Sequence, residues 1–240
     1  MKDAVVIIPT YNEIENIEAI IRAVLNQQKS FDILVVDDNS PDLTSQKVTH
    51  LQKEFPSQLF LETRNEKFGL GTAYIHGFKW SLKQGYNFIF EMDADFSHNP
   101  KDLVRLYNAC NQNGADVAIG SRYIKGVNVI NWPLSRVILS YLASIYVRLV
   151  TGMKIRDTTA GFVCYKREVL ENLDLNSIKF IGYAFQIEMK FKAYLRQYNI
   201  LEVPVVFTDR IRGESKLSSG IISEAIFGVI SMKFKSLFTR

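Results

Sequence analysis

The feature that most constrains the fold of this chain is a regular alternation between short apolar runs and longer amphipathic segments. The first pair is AVVIIP, at Ala4–Pro9, followed by Glu13–Gln28, in which apolar residues recur every three or four positions. The first pattern is typical of a buried strand and the second of a helix with one buried face. The alternation continues with strands predicted at DILVVDD, LFLETR, NFIFEMD and ADVAIGS and helices predicted over Asp42–Phe55, Gly71–Gln84 and Pro100–Gln112. It predicts an α/β fold whose mostly parallel central sheet carries helices on both faces.

Polar clusters follow the predicted strands at their carboxyl ends. They read PTYNE, DDNSPD, DADFSH and GSRY in chain order. In open α/β sheets, ligands bind outside the carboxyl ends of the strands, at the point where the strand order reverses. The sequence therefore predicts a binding site built from these clusters.

Asp93 and Asp95 stand one residue apart at the end of the fourth predicted strand. A helix cap before NPKDL explains one acid at most, and Ser97 or Asn99 could supply that cap instead. A glycosidase pair would place its carboxyls roughly 5 to 9 Å apart, usually on separate elements, and the P-loop motif GxxxxGK[ST] is absent from the sequence. The remaining interpretation is a divalent cation that is held by oxygen ligands and bridges a diphosphate. Alternate residues of an extended segment point to the same side, so both carboxylates can face one ion.

Two further amphipathic helices are predicted after residue 125, over Pro133–Val150 and within the tail Ile221–Phe238. Charged residues interrupt both, so neither offers the roughly 18 consecutive apolar residues that favour a membrane span. We expect both to lie against a surface. The net charge of +4 suits anionic substrates or a lipid surface and does not by itself indicate a nucleic-acid partner. The pattern predicts one domain over residues 1–217 and a C-terminal amphipathic helix over residues 218–240.

Several longer motifs identify a family. The segments IIPTYNEIENI, VVDDNSPDLT, FGLGTAYIHGF, MDADFSHNP, DTTAGFVCYKREVL, GYAFQIEM and EVPVVFTDRIRGESKL run in this order through most of the chain. Over about residues 4 to 217 they resemble the polyprenol- (dolichol-) phosphate mannosyltransferases of glycosyltransferase family 2. PTYNE and DAD mark the wider family, whereas GLGTAYIHGF and DRIRGESKL are more specific to the polyprenol-phosphate branch.

The resemblance implies a GT-A-type nucleotide-diphospho-sugar transferase fold and an inverting, metal-dependent mannosyltransferase. The implied donor is GDP-mannose, the acceptor is a polyprenyl monophosphate, and the cofactor is Mg²⁺ or Mn²⁺. Because the acceptor is a lipid, the resemblance also implies a peripheral protein at the cytoplasmic face of a membrane. Small membrane-protein subunits are possible partners.

The resemblance also implies roles for individual residues. Those expected to bind the nucleotide are Pro9, Tyr11, Glu13, Val36 and Asp38. Those expected to surround the diphosphate and the metal are Asp93, Ala94 and Asp95. Ser97 stands where close relatives can have a glutamine as a further metal ligand, so a hydroxyl or a water would replace it. Those expected to contact phosphates are Arg122, Arg210 and Lys216, with Arg122 and Arg136 directed to the acceptor phosphate. Those expected to be catalytic are Asp95, Arg122 and Lys216.

The acceptor explains why no catalytic base is needed. A phosphate monoester has a second pKa of about 6, so near pH 7 it is mostly a dianion that can attack without losing a proton. Gln186 and Glu188 have two open interpretations, a solvated helix face or a role near the acceptor. Two alternative functions also stay open at this point: an enzyme that uses a UDP-sugar (glucose or an amino sugar), and a non-catalytic lipid- or nucleotide-binding subunit.

Overall fold

The structure, a computed structural model, describes residues 2–209 and 219–238. Its strands are β1 (Ala4–Thr10), β2 (Asp32–Asp37), β3 (Leu59–Thr63), β4 (Phe88–Glu91), β5 (Val117–Ser121), β6 (Val129–Ile130), β7 (Val163–Lys166), β8 (Ile200–Pro204) and β9 (Phe207–Thr208). The main sheet has seven strands in the order β3-β2-β1-β4-β7-β5-β8. All its pairings are parallel except those of β7, which runs antiparallel to β4 and β5. The predicted mostly parallel sheet is confirmed.

The helices are α1 (Ile17–Leu25), α2 (Thr44–Leu51), α3 (Leu70–Gln84), α4 (Asp102–Asn111), α5 (Leu134–Thr151), α6 (Arg167–Asn172), α7 (Tyr183–Leu195) and α8 (Ser219–Ser236). The first helix begins later than predicted. Asn12 has a left-handed φ of 60°, and the Asn16 side chain donates to the Glu13 carboxylate over 3.0 Å. This turn replaces the first helical turn and leaves Glu13 next to the end of β1.

The sheet is buried on both faces, as its apolar strands require. Along β1, Val5 and Ile7 belong to one core cluster while Val6 and Ile8 belong to the other. The order of the strands reverses beside β1, because β2 and β3 lie on one side of it and β4 on the other. The carboxyl ends of β1 and β4 therefore flank the crevice where such sheets bind ligands.

A short parallel pair, β6 with β9, stands apart from the main sheet, and Val129 pairs with Phe207 in it. The pair ties the segment before α5 to the segment after β8. It thereby brings Trp132 to within 5.2 Å of Phe207, between ring centroids.

Helices α5 and α8 pack against each other, and each keeps a largely apolar outer face. Val229 of α8 is fully buried, and a Cβ on Gly228 would lie 2.6 Å from the Phe180 ring, so α8 fits closely against the core. The large apolar side chains exposed on the two helices are Leu134, Ile138, Leu139, Tyr141, Leu142, Leu149, Ile226, Phe227, Ile230 and Phe234, and Leu237 and Phe238 follow directly after α8. Among the described helices, α5 is also long and apolar enough to cross a membrane by length and composition alone, with 17% of it buried. The sequence expectation, based on its interrupting arginines, was a surface helix.

Candidate functional site

A cavity of about 840 Å³ opens at the carboxyl ends of β1, β4 and β5 and continues to α5. The predicted site residues that line it are Pro9, Tyr11, Glu13, Asp38, Asp93, Ala94, Asp95, Ser97, Arg122 and Arg136. Val36 does not line it, because its side chain is fully buried in the core. Arg210 and Lys216 lie outside the described residues. The structure thus brings together most of the predicted residues from segments far apart in the chain.

One end of the cavity combines acidic, basic and aromatic side chains. Asp38 is nearly buried and accepts a 2.6 Å hydrogen bond from Nε of Arg64. Arg64 also donates to the hydroxyl of Thr72 at the start of α3, over 2.8 Å. The ammonium of Lys67 lies 4.4 Å from the centre of the Tyr11 ring. Sequence reasoning missed Arg64 and Lys67, although the glycine-containing loop that carries them, TRNEKFGLG, was a detectable signal for phosphate approach.

The aspartates occupy the centre of the cavity. The hydroxyl of Tyr74 donates to Oδ1 of Asp93 over 3.3 Å, and the backbone N–H of Asp93 donates to Nδ1 of His98 over 3.1 Å. The backbone N–H of Ser97 donates to Oδ1 of Asp95 over 3.0 Å. Asp95 is 8% exposed. Both carboxylates are therefore held by neighbouring groups while they line the same cavity.

The donor atoms at this point fit a hard divalent cation. The buried Oγ of Ser97 has no hydrogen-bond partner among the described residues, and it lies in the same turn as Asp95. An orphaned buried hydroxyl calls for a partner such as an ion or a water. No group of three or more His, Cys, Asp or Glu side chains arranged to hold a metal is found among the described residues. Two carboxylates and a hydroxyl match a cation that takes its other oxygens from a diphosphate and water.

His98 lies against the aspartates as a neutral packing group. Its ring stacks on Phe162 at a centroid distance of 4.9 Å and is almost fully buried. Burial lowers the pKa of His98 below 6.5, although the nearby carboxylates of Asp93 and Asp95 oppose the shift. The ring is neutral at pH 7, and its Nδ1 serves as an acceptor for the Asp93 backbone.

Arg122 follows β5 and is held by a buried carboxylate. Its Nε donates to Oδ2 of Asp157 over 2.7 Å, and its Nη2 donates to Oδ1 over 2.6 Å. The same Nη2 donates to the hydroxyl of Thr159 over 2.8 Å. Burial raises the pKa of Asp157, but the attraction and hydrogen bonds of Arg122 outweigh it, so the pKa falls below its usual value. Bidentate geometry of this kind fixes the plane of the guanidinium.

Arg136, on the first turn of α5, connects the polar and apolar parts of the cavity. Its Nη1 donates to Oδ1 of Asp209 over 2.8 Å, and its guanidinium lies 4.1 Å from the centre of the Trp132 ring. Asp209 is the first residue of the DRIRGESK segment that carries Arg210 and Lys216. The contact therefore joins α5 to the start of the basic segment.

The far end of the cavity is apolar. Its lining there consists mainly of Leu139, Leu142, Ala143, Tyr146, Val147, Ile181, Ile187 and Ile226. The hydroxyl of Tyr146 donates to the carbonyl of Ile226 over 2.8 Å and so connects α5 to α8. A hydrocarbon chain suits such a lining, because its binding removes apolar surface of both the chain and the cavity from contact with water.

Gln186 and Glu188 are both buried, so the interpretation as a solvated helix face is wrong. Gln186 lines the cavity. Glu188 instead accepts hydrogen bonds from the backbone N–H groups of Lys179 and Phe180, over 2.9 and 3.1 Å. Its carboxylate thus organises the loop before α7.

Comparison with known proteins identifies the family. The glycosyl transferase family 2 model matches residues 5–174. The chain is 46% identical over 235 residues to the polyprenol monophosphomannose synthase of Mycolicibacterium smegmatis, and the alignment covers 98% of this chain and 88% of that protein. It is 44% identical over 223 residues to the undecaprenyl-phosphate mannosyltransferase of Micrococcus luteus, with 93% and 90% covered. The chain belongs to the polyprenyl-phosphate mannosyltransferases of glycosyltransferase family 2.

Solved structures confirm the GT-A-type fold. A glucosyl-3-phosphoglycerate synthase from Mycobacterium tuberculosis, in complex with Mn²⁺, UDP and its product, superposes with a TM-score of 0.66 at 16% identity, over 98% of this chain and 80% of that one. A mannosyltransferase from Pyrobaculum calidifontis, in complex with GDP-Man and Mn²⁺, gives a TM-score of 0.56 at 16% identity, over 98% and 74%. At this identity the likeness shows the fold alone.

Proposed function

We propose that the protein transfers mannose from GDP-mannose to the phosphate of a polyprenyl monophosphate, with inversion at the anomeric carbon. The observation that carries this proposal is the single continuous cavity, which joins a polar end with carboxylates and cations to an apolar end between α5 and α8. A nucleoside-diphosphate sugar suits the first end and a prenyl chain suits the second. The two names of close relatives, a polyprenol monophosphomannose synthase and an undecaprenyl-phosphate mannosyltransferase, support the same acceptor class.

The nucleotide is assigned to the end with Tyr11 and Asp38, and the diphosphate to the centre. Asp93, Asp95 and the orphaned hydroxyl of Ser97 would hold Mg²⁺ or Mn²⁺ there. When bound, such a cation stabilises negative charge on the departing nucleoside diphosphate. Support for a divalent cation comes from the oxygen donor set, and fold neighbours of two different specificities were solved with Mn²⁺.

The acceptor phosphate is assigned to the region between Arg122 and Arg136. Both guanidiniums line the cavity, and both are held by carboxylates, so little side-chain freedom is left to lose when a phosphate binds. The dianionic phosphate oxygen attacks the anomeric carbon in line with the departing diphosphate. The C–O bond to the diphosphate breaks as the new one forms, and an α-linked donor gives a β-linked mannosyl phosphate.

No protein base takes part in this proposal. The carboxylates that line the described part of the cavity are Glu13, Asp38, Asp93 and Asp95. Their roles in donor and metal binding are already assigned, and Asp38 is paired with Arg64. The protein's contribution is to bring two anions together and to hold positive charge around them.

The proposed location is the surface of a membrane, on its cytoplasmic face. The apolar outer faces of α5 and α8 lie beside the apolar end of the cavity, because Leu142 and Ile226 both line it and are both exposed. A helix pair that lies in the interface would place the prenyl chain next to the lipid that supplies it.

Transfer of labelled mannose from GDP-mannose to a polyprenyl phosphate in detergent tests the function directly. We expect product only when both substrates and Mg²⁺ or Mn²⁺ are present. We also expect GDP to raise the melting temperature more than UDP does, and at about a hundred times the dissociation constant the gain in stability is near 2.7 kcal/mol. A larger shift with UDP, with transfer from a UDP-sugar, would refute the GDP-mannose assignment.

A further inference from the structure

The short segment between α5 and β7 holds Arg122 in place. Asp157 within it is fully buried and receives the Nε and Nη2 hydrogen bonds of the arginine, together with a 2.9 Å bond from the backbone N–H of Arg122. Thr159, two residues on, accepts a further bond from Nη2. The direction of the guanidinium therefore depends on the position of this segment, residues 156–160.

Two side chains from elsewhere in the fold fix the two ends of that segment. At its start, the carboxylate of Glu202 on β8 accepts from the backbone N–H groups of Arg156 and Asp157, over 2.8 and 2.9 Å. At its end, Nζ of the fully buried Lys190 on α7 donates to the carbonyl of Ala160 over 2.6 Å. Neither Glu202 nor Lys190 is among the residues that line the cavity.

We propose that Glu202 and Lys190 are positioning residues, which hold Arg122 in its phosphate-binding orientation through residues 156–160. The inference rests on the proposed function, in which Arg122 contacts a phosphate. An arginine side chain has many rotamers, and each bond fixed before the substrate arrives lowers the cost of binding and of charge stabilisation later. A displacement of about 1 Å at such a group can cost a hundredfold in rate.

The carboxylate of Glu202 has a third partner, which connects it to the strand that precedes Arg122. The hydroxyl of Ser121, at the end of β5, donates to Oε1 of Glu202 over 2.7 Å. Ser121 immediately precedes Arg122. The same carboxylate therefore fixes both the strand end next to the arginine and the segment, residues 156–160, that binds its guanidinium. Replacing Glu202 by glutamine keeps the size but exchanges one acceptor oxygen for an N–H donor, which would face another donor.

The test compares Glu202→Gln with Glu62→Gln. The two glutamates are matched, because each lies on one edge strand of the main sheet, and Glu62 pairs with His76 away from the cavity. We expect Glu202→Gln to lower kcat by at least about tenfold with the KM for GDP-mannose changed by less than about threefold, because the lost interaction matters most as charge develops. Glu62→Gln should leave both constants near those of the unmodified enzyme.

A double-mutant cycle with Arg122→Lys separates positioning from a merely structural role. If Glu202 acts through Arg122, adding Glu202→Gln to Arg122→Lys changes kcat by less than about twofold, whereas independent effects multiply. If Glu202→Gln does not fold, Ser121→Ala gives the same test, because it removes a single hydroxyl. We expect Ser121→Ala to lower kcat several-fold in the unmodified enzyme and to have no further effect on kcat in the Arg122→Lys background. Multiplicative effects, or an unchanged kcat in Glu202→Gln, would overturn the inference. An unmodified enzyme without mannosyl transfer would refute the proposed function itself, and this inference with it.

Discussion

The outer face of α8 offers the sharpest test of membrane attachment. Phe227 and Phe234 are 72% and 61% exposed, on a helix whose Val229 is fully buried. The double variant Phe227→Ser/Phe234→Ser removes apolar surface that faces outward and leaves the core contacts of α8 in place. Truncation after Gly220, by contrast, would also remove Val229 and the close fit of Gly228 on Phe180.

The size of the effect follows from the exposed area. Burying a whole phenylalanine side chain is worth about 1.5–3 kcal/mol, so the exposed fractions of the two rings together correspond to about 2–4 kcal/mol. Since about 1.4 kcal/mol is a tenfold change in an equilibrium constant, partitioning onto lipid should fall about thirtyfold to several hundredfold. The melting temperature should stay nearly unchanged, because exposed apolar groups contribute little to folding.

Co-sedimentation with liposomes that contain anionic lipid measures the partitioning. Leu43→Ser is the matched control, because Leu43 is 55% exposed on the N-terminal side of α2, far along the chain from α5 and α8. Transfer to a long-chain polyprenyl phosphate in liposomes should fall with binding, while transfer to a short, soluble prenyl phosphate should fall much less. Unchanged sedimentation of the double variant, or an equal loss from Leu43→Ser, would refute the membrane role of this face.

Three further predictions concern the cavity and the residues around it. Asp95→Asn should fold and yet lose about 2.7 to 4 kcal/mol of transition-state stabilisation, roughly a hundred- to a thousandfold in transfer rate; near-normal turnover with metal still required would contradict the metal assignment. In metal-free buffer, the depressed pKa of His98 makes the free energy of unfolding fall as the pH drops below 6.5, because the unfolded chain takes up a proton that the buried ring resists. Urea titrations of His98→Gln should show a smaller loss of stability below pH 6.5 than those of the unmodified protein. The same dependence of stability on pH in both proteins would contradict this prediction. Glu188→Gln keeps an acceptor oxygen for the loop before α7 and should retain transfer; its abolition in a folded, donor-binding variant would require a protein base.

Much of the fold could be predicted because its determinants are local. The apolar runs of β1 to β5 and the three- and four-residue periodicity of the helices between them are properties of neighbouring residues, and they fixed the class of sheet. The cluster of polar residues at strand ends predicted the site for the same reason, since parallel strands present their carboxyl ends at one edge. The resemblance then supplied roles for single residues such as Arg136, which spacing alone does not reveal.

The tertiary structure decided the features that depend on distant pairs. The antiparallel β7 enters the sheet between β4 and β5, and the β6–β9 pair joins residues almost eighty positions apart. Glu188 was read as a site residue or a solvated one, but its partners are backbone groups of the preceding loop, which no periodicity indicates. Asp157 and Glu202 begin two of the family motifs, but the sequence did not reveal that they hold Arg122. The contacts involved span 35 positions between Arg122 and Asp157 and 45 between Asp157 and Glu202, and they exist only once the sheet has formed.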